Sequence, residues 1–173
     1  TTSFDGVTEY EPMSDKPEII RIRSKRKKIH QSNPFEMYDW MKKSWNFLKQ
    51  RPLSEQFDIC FANFTIPGGW LALKINKKFN IPYCIISHGH DIPWLYKKQM
   101  FFYHLATYPI IKKICKKADY IFVQSHIMKQ NADRFIGKRN NSKVVLIYNG
   151  ICPRELNENS RKDSPFTLLF VGR

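Results

Sequence analysis

This chain of 173 residues has no apolar run near the ~20 residues that a membrane-spanning helix needs. Its four cysteines, Cys60, Cys84, Cys115 and Cys152, include no C-x-x-C pair, which removes the usual zinc-ribbon and dithiol signatures. Cys60 and Cys84 fall inside apolar strand-like runs, where a free thiol acts as a small hydrophobe. That usage points to a reducing, cytoplasmic setting without structural zinc. Acidic residues are scarce: 15 Asp and Glu face 29 Lys and Arg, a formal charge of +14. Such a balance favours a polyanionic partner, whether nucleic acid, an anionic membrane surface or a phosphate-bearing substrate. A Lys-, Ile- and Asn-rich composition also follows from genome base composition alone. Two glycosylation sequons, at Asn63 and Asn140, are short enough to arise by chance. No signal peptide is visible, and a start at Thr1 rather than Met leaves an upstream targeting segment open.

What is present is a 42% hydrophobic chain, enough for one domain with a real core. Strand-like and helix-like segments alternate, which predicts an α/β fold with a parallel sheet. Glu18 to Arg23 reads as an edge strand, and Arg21 to Lys28 as a basic loop. Asn33-Pro34-Phe35-Glu36 reads as a capped helix start. The helix is predicted to run to about Gln50, with Tyr38, Met41, Trp45 and Leu48 on one face. Strands are predicted over Phe57 to Phe64, Tyr83 to Ser87, Asp119 to Gln124 and Lys143 to Tyr148. Between them, Pro67-Gly68-Gly69 opens a helix to Phe79. Pro93 to Lys117 reads as helical with Pro109 as a break, and Ser125 caps a helix to about Gly137. Asn157 to Pro165 is polar and linker-like, and Thr167 to Val171 begins one more strand.

His88-Gly89-His90-Asp91 directly follows a predicted buried strand. Two imidazoles and a carboxylate there sit where open parallel sheets bind ligands, outside the carboxyl ends of the strands. Asn63-Phe64-Thr65, Ser125-His126 and Asn149-Gly150 also follow strands, so all four segments are expected along one edge. His90 and Asp91 can bind substrate hydroxyls. Asp91 can equally fix a histidine tautomer or cap a helix before Pro93. Gly68-Gly69 either offers helix N–H groups to an anion or allows close packing. Asn149-Gly150 is also a simple turn signal. No third ligand accompanies the histidines at metal-site spacing, so no metal is expected.

The run Phe64 to Lys74, then Ile81-Pro82, His88-Gly89-His90-Asp91, Ala118 to Ile121, Tyr148 to Ile151 and Phe170 to Arg173 resembles a bacterial retaining glycosyltransferase. The similarity is to the large GT-B family that includes sucrose synthases, glycogen synthases and phosphatidylinositol mannosyltransferases. It spans roughly Phe57 to Arg173.

The resemblance implies two Rossmann-like domains facing a cleft, acceptor on the N-terminal side and donor on the C-terminal side. Residues 1–152 would be the acceptor-side domain, without its first strand and Gly-rich loop. Residues 153–165 would be a linker, and 166–173 the first strand of a donor domain that lies beyond. The fragment alone is then expected to be inactive. By the same resemblance His88 reaches the transferred sugar, where the plainer reading is a satisfied histidine at a strand end. Arg173 holds the donor diphosphate, and Asn149-Gly150 is the hinge. Phe64, Gly68, Gly69, His90, Asp91, Ser125 and Asn149 become substrate-binding candidates. The donor would be a nucleotide-sugar, with no separate cofactor, and the acceptor a glycan or lipid-linked glycan. Relatives with lipid-linked acceptors dock on membranes, which implies a place on the inner face of the cytoplasmic membrane.

The segment after Pro109 places Ile110, Ile111, Ile114 and Ala118 on one side and Lys112, Lys113, Lys116 and Lys117 on the other. That is either a solvated surface helix or, with Trp94, Tyr96, Lys97, Lys98, Phe101 and Phe102, a membrane-surface patch. Two other functions compete. A nucleic-acid module would show a helix-turn-helix, zinc-finger or RRM signature, and none is found. A non-catalytic α/β subunit that binds a sugar or partner would lack a second Rossmann-like domain after Arg173.

Overall fold

The computed structural model describes residues 2–3, 10–11, 19–25, 32–95, 100–137 and 142–150. Its centre is a four-stranded, all-parallel sheet of β5 (Cys60–Asn63), β6 (Tyr83–Ile86), β7 (Tyr120–Val123) and β8 (Val144–Leu146), in that spatial order. Each parallel step requires a crossover. The crossovers are α3 (Trp70–Phe79), α4 (Phe101–Lys117) and α5 (His126–Ile136). The α/β class expected from the alternating pattern is therefore observed.

Register explains the core. Ala62, Ile85, Ile121 and Val144 lie abreast across the four strands, and all are buried. Ile111, Ile114, Cys115 and Ala118 of α4 pack into the same core. The opposite sheet face carries Phe61, Tyr120 and Phe122, whose rings stack at 6.2 and 6.3 Å. Phe61 and Tyr120 are exposed there.

Ahead of the sheet, α1 (Pro34–Leu48) begins as its sequence dictates. Asn33 Oδ1 accepts from the Glu36 N–H at 2.9 Å, and Glu36 Oε2 accepts from the Asn33 N–H at 3.1 Å. This reciprocal cap satisfies two N–H groups that a helix start leaves open. Of the expected face, Met41 is buried and Trp45 and Leu48 are half-buried, and only Tyr38 departs from it. Tyr38 is exposed, and Met41 and Ser44 are the buried positions, with Met37 and Leu48 half-buried beside them. Trp45 and Leu48 pack against the buried cluster of Leu53, Ile75 and Ile81, which ties the helix to α3.

Other boundaries also moved. The predicted edge strand splits into β3 (Ile19–Ile20), antiparallel to β2 (Tyr10–Glu11), and β4 (Ile22–Arg23), parallel to β1 (Thr2–Ser3). β5 starts at Cys60 rather than Phe57, because Phe57 still closes the helical turn α2 (Leu53–Gln56), its N–H donating to the Leu53 carbonyl. The helix expected from Pro67 begins only at Trp70. Before it, Phe64–Gly69 makes a tight turn broken at Ile66, whose φ of −131° and ψ of 130° are extended. The helix expected from Pro93 starts at Phe101, because Pro93 to Leu95 form a turn in which Trp94 has φ 79°. Pro109 lies inside α4 and does not end it. The expected Asn149-Gly150 turn runs into residue 151, which lies outside the described residues. The expected linker, the strand from Thr167, and Tyr96, Lys97, Lys98, Cys152 and Arg173 lie outside the described residues.

Burial, with Cys84 close by, pushes the Cys60 thiol up to about 11. Burial raises Cys84 and Cys115 as well. At pH 8, Cys60 should therefore hold roughly two orders of magnitude less thiolate than an ordinary cysteine of pKa ~8.5. Iodoacetamide labelling of the native chain, read by peptide mass mapping, should leave Cys60 largely unmodified while it reacts fully in urea. Labelling at the free-cysteine rate in the native state would contradict its placement in the sheet.

Candidate functional site

Because all four strands run parallel, their C-terminal ends share one edge. Asn63, Ser87, Gln124 and Ile147 each follow or end a strand there. The four segments singled out in the sequence are thus along one side of the sheet. They do not form one cluster: two local groups can be described.

The first group joins the loops after β5 and β6, and Asp91 is its centre. This carboxylate is 8% exposed. Its Oδ2 accepts from the Thr65 N–H at 2.9 Å. Its Oδ1 accepts from the Ser87 hydroxyl at 2.7 Å and from the His88 N–H at 3.0 Å. The Thr65 hydroxyl donates to the Asp91 carbonyl at 2.7 Å, so the two loops are tied twice. Asp91 therefore faces inward on three protein donors. It caps no helix, because Pro93 to Leu95 form a turn, and none of its described hydrogen bonds goes to a histidine ring.

His88 is exposed at the strand end. Its Nε2 lies 3.4 Å from Asn63 Oδ1, a long hydrogen bond in which the carbonyl oxygen accepts and the imidazole donates. Its ring packs against Phe64, with centroids 4.6 Å apart and planes tilted by 46°. Phe64 sits at φ 63°, in the left-handed region that bulky residues avoid. Such a residue costs on the order of 1–3 kcal/mol and persists where its surroundings over-determine it. Here the Thr65–Asp91 bonds hold the next residue in place.

Gly68 and Gly69 serve close approach. A Cβ on Gly68 would stand 2.4 Å from the Asn63 carbonyl oxygen, and one on Gly69 would stand 2.8 Å from Ile114. Of the two readings of this pair, packing has direct geometric support. It lets the turn fold back onto β5 and brings Phe64 to His88.

His90 is exposed, and its carbonyl accepts from His104 Nε2 at 2.9 Å. A carbonyl only accepts, so this nitrogen of the buried His104 carries a proton. Beside His90 a cleft of about 340 Å³ opens between the start of α1, the two loops and the start of α4. Its walls are Pro34, Met37, Phe64, Ile66, Met100 and Tyr103, with Ser32, His90 and Asp91 also lining it. Burial, and secondarily the Asp91 charge, pushes the Tyr103 hydroxyl up to about 12.

The second group lies at the ends of β7 and β8. Ser125 caps α5, accepting from the Met128 N–H at 3.3 Å. The Tyr148 hydroxyl meets His126 Nε2 at 2.9 Å, with the rings edge to face. Asn149 is exposed beside them. The described residues hold no group of three or more His, Cys, Asp or Glu arranged for a metal ion.

Sequence reasoning did not single out Thr65 or Ser87 as partners of Asp91, nor His104, Met37, Met100 or Tyr103. The Thr65–Asp91 pair is 26 residues apart and no motif marks it. The capped start of α1 was legible, but not that it would wall a cleft.

The model of the Glycosyltransferase Family 4 matches residues 1–155. No curated protein matches the chain.

If Asp91 ties the loops, Asp91→Ala strands two backbone N–H groups and a hydroxyl. It should lower unfolding free energy by about 2–4 kcal/mol, and Asp91→Asn, which keeps one acceptor oxygen, should cost less. Urea titration reads both. A loss under about 0.5 kcal/mol in the alanine variant, within the range of ordinary surface changes, would show that the bonds do not carry the loops.

Proposed function

The chain belongs to the Glycosyltransferase Family 4, and from that premise we propose that it is the acceptor-side part of a retaining, nucleotide-sugar-dependent hexosyltransferase. The observation that carries this reading is the pairing of exposed His88 with Phe64 at the C-terminal edge of a parallel sheet, held by a buried Asp91. The donor is a nucleotide-sugar, and no separate cofactor takes part. Donor binding falls mainly to a second domain after residue 165, where Arg173 would pair with the diphosphate. The fragment alone is inactive in this account. The parent works in surface polysaccharide or lipid-linked glycan synthesis.

In the mechanism, His88 hydrogen-bonds a hydroxyl of the transferred sugar and fixes its orientation toward the acceptor. Orientation of this kind lowers a barrier because the reacting atoms need not find each other. Charge builds on the leaving phosphate, and a guanidinium such as Arg173 would stabilise it. Phe64 gives an apolar wall for a sugar face. Asp91 is a positioning residue: it sets the His88 backbone and the Phe64 turn. His90, Ser125 and Asn149 lie along the edge where an acceptor would rest, and Gly68 and Gly69 shape the turn behind Phe64.

No described helix is long and apolar enough to cross a membrane. Peripheral docking is supported by α4. Phe102, Leu105, Ala106, Pro109, Lys113, Lys116 and Lys117 are all exposed and fall within an arc of about 120°. The half nearest the site is apolar and the far half is basic, which suits an anionic membrane surface. The same lysines meet the alternative of a nucleic-acid partner only as unspecific charge.

Turnover of a nucleotide-sugar panel by the full-length parent, with membrane extract as acceptor, tests the proposal. One donor should be consumed, and His88→Ala should reduce kcat by about 100-fold or more, the scale of a lost positioning contact, with unchanged folding. Unaltered turnover in the variant would remove His88 from the reaction. No turnover of any donor by the folded parent would favour a non-catalytic sugar-binding subunit.

A further inference from the structure

We infer that the 340 Å³ cleft beside His90 binds the hydrocarbon next to the headgroup of a lipid-linked acceptor, an assignment that rests on the transferase reading above. Its walls argue for hydrocarbon over glycan. Six side chains, Pro34, Met37, Phe64, Ile66, Met100 and Tyr103, offer carbon, sulfur and one phenol. Sugar sites need several converging donors and acceptors, and among the described residues the polar groups of the lining lie at His90, Asp91 and Ser32. Asp91 is already engaged by three protein donors. Two methionines in the lining, one from α1 and one from the residue before α4, make it adaptable and suit a flexible chain better than a rigid ring. The volume lies within the usual range for small-molecule sites.

Position selects the source of that hydrocarbon. Met100 and Tyr103 line the cleft, while Phe101, Phe102 and Leu105, interleaved with them at the start of α4, point outward and are exposed. Phe102 is 83% exposed. The apolar lining of the cleft thus continues onto an exposed apolar surface, and the basic half of α4 follows along the same face. A chain leaving a bilayer at that surface enters the cleft between Met100 and Met37. The headgroup then lies at His90, with Phe64 shared between cleft and His88. The acceptor headgroup is thereby brought beside His88, which orients the transferred sugar toward it, and the tail lies on the far side of Phe64.

The test measures binding of n-alkyl β-D-glucosides with four to ten carbons, below their micelle concentrations, to the full chain by calorimetry. Affinity should rise roughly fourfold for each buried methylene until the cleft is full and then level off. Met37→Gln and Met100→Gln change lining polarity at nearly constant volume. Each should cut the rise to under about twofold per methylene, with circular dichroism unchanged. Two variants guard against one that fails to fold. Affinity independent of chain length, or a wild-type rise retained in both variants, would overturn the proposal. Phenyl β-D-glucoside binding more tightly than the hexyl compound would overturn it too, by assigning the cleft to an aromatic aglycone. The two readings fail separately. A chain-length rise lost in the variants, with no donor turnover by the parent, upholds the cleft and refutes the transferase. Donor turnover with a flat series refutes the cleft alone.

Discussion

The hydrogen bonds that converge on the Asp91 carboxylate are the constraint on which the rest of the candidate site depends. Two parallel strands deliver their loops to one edge, but parallel pairing stops at Asn63 and Ile86. Beyond those residues the two loops share no ladder with each other, and the last ladder-type bond is the one the Ser87 N–H donates to the Phe122 carbonyl at 2.9 Å. Asp91 replaces the ladder with three bonds and places Thr65 and His88 on either side of one buried side chain. Phe64 is then fixed between Asn63 in the strand and Thr65 on Asp91. That double anchor explains how a phenylalanine can stand at φ 63°.

The remaining support is steric. Gly68 and Gly69 let the turn after Phe64 press against Asn63 and Ile114. Ile114 belongs to the row on α4 that packs on the sheet, and the Tyr83 hydroxyl donates to its carbonyl at 2.6 Å. Core, turn and site edge are therefore one packed unit. A change at Ile114 is felt at Gly69 and, through the turn, at Phe64.

The sequence carried local information well and tertiary information poorly. Asn33, Pro34 and Glu36 announce their cap because all its partners lie within four residues, and Ser125 does the same for α5. The strands are legible as short apolar runs because a parallel sheet buries them. The class of fold followed from their alternation with helices. On α1 the inward positions Met41, Trp45 and Leu48 were legible from their spacing, but the exposure of Tyr38 was not, since the packing of the whole helix decides which flanking residue turns outward. The start of α4 was lost because the left-handed turn at Trp94 has no sequence signature. For the site, His88-Gly89-His90-Asp91 stood out in the chain, but the inward role of Asp91 did not. Its partners Thr65 and Ser87 are ordinary residues until the loops meet. The apolar cleft was invisible for the same reason, as its walls come from four separate segments.

Native-state hydrogen exchange at the amides of Thr65 and His88 tests the central claim most directly. Both amides lie in loops just beyond strand ends, and both donate to Asp91. The account predicts strong protection of both, with similar opening free energies because one carboxylate holds them, and joint loss of protection in Asp91→Ala while the β6 amides stay protected. Exchange of either amide at the rate of an open loop in the wild-type chain would contradict it.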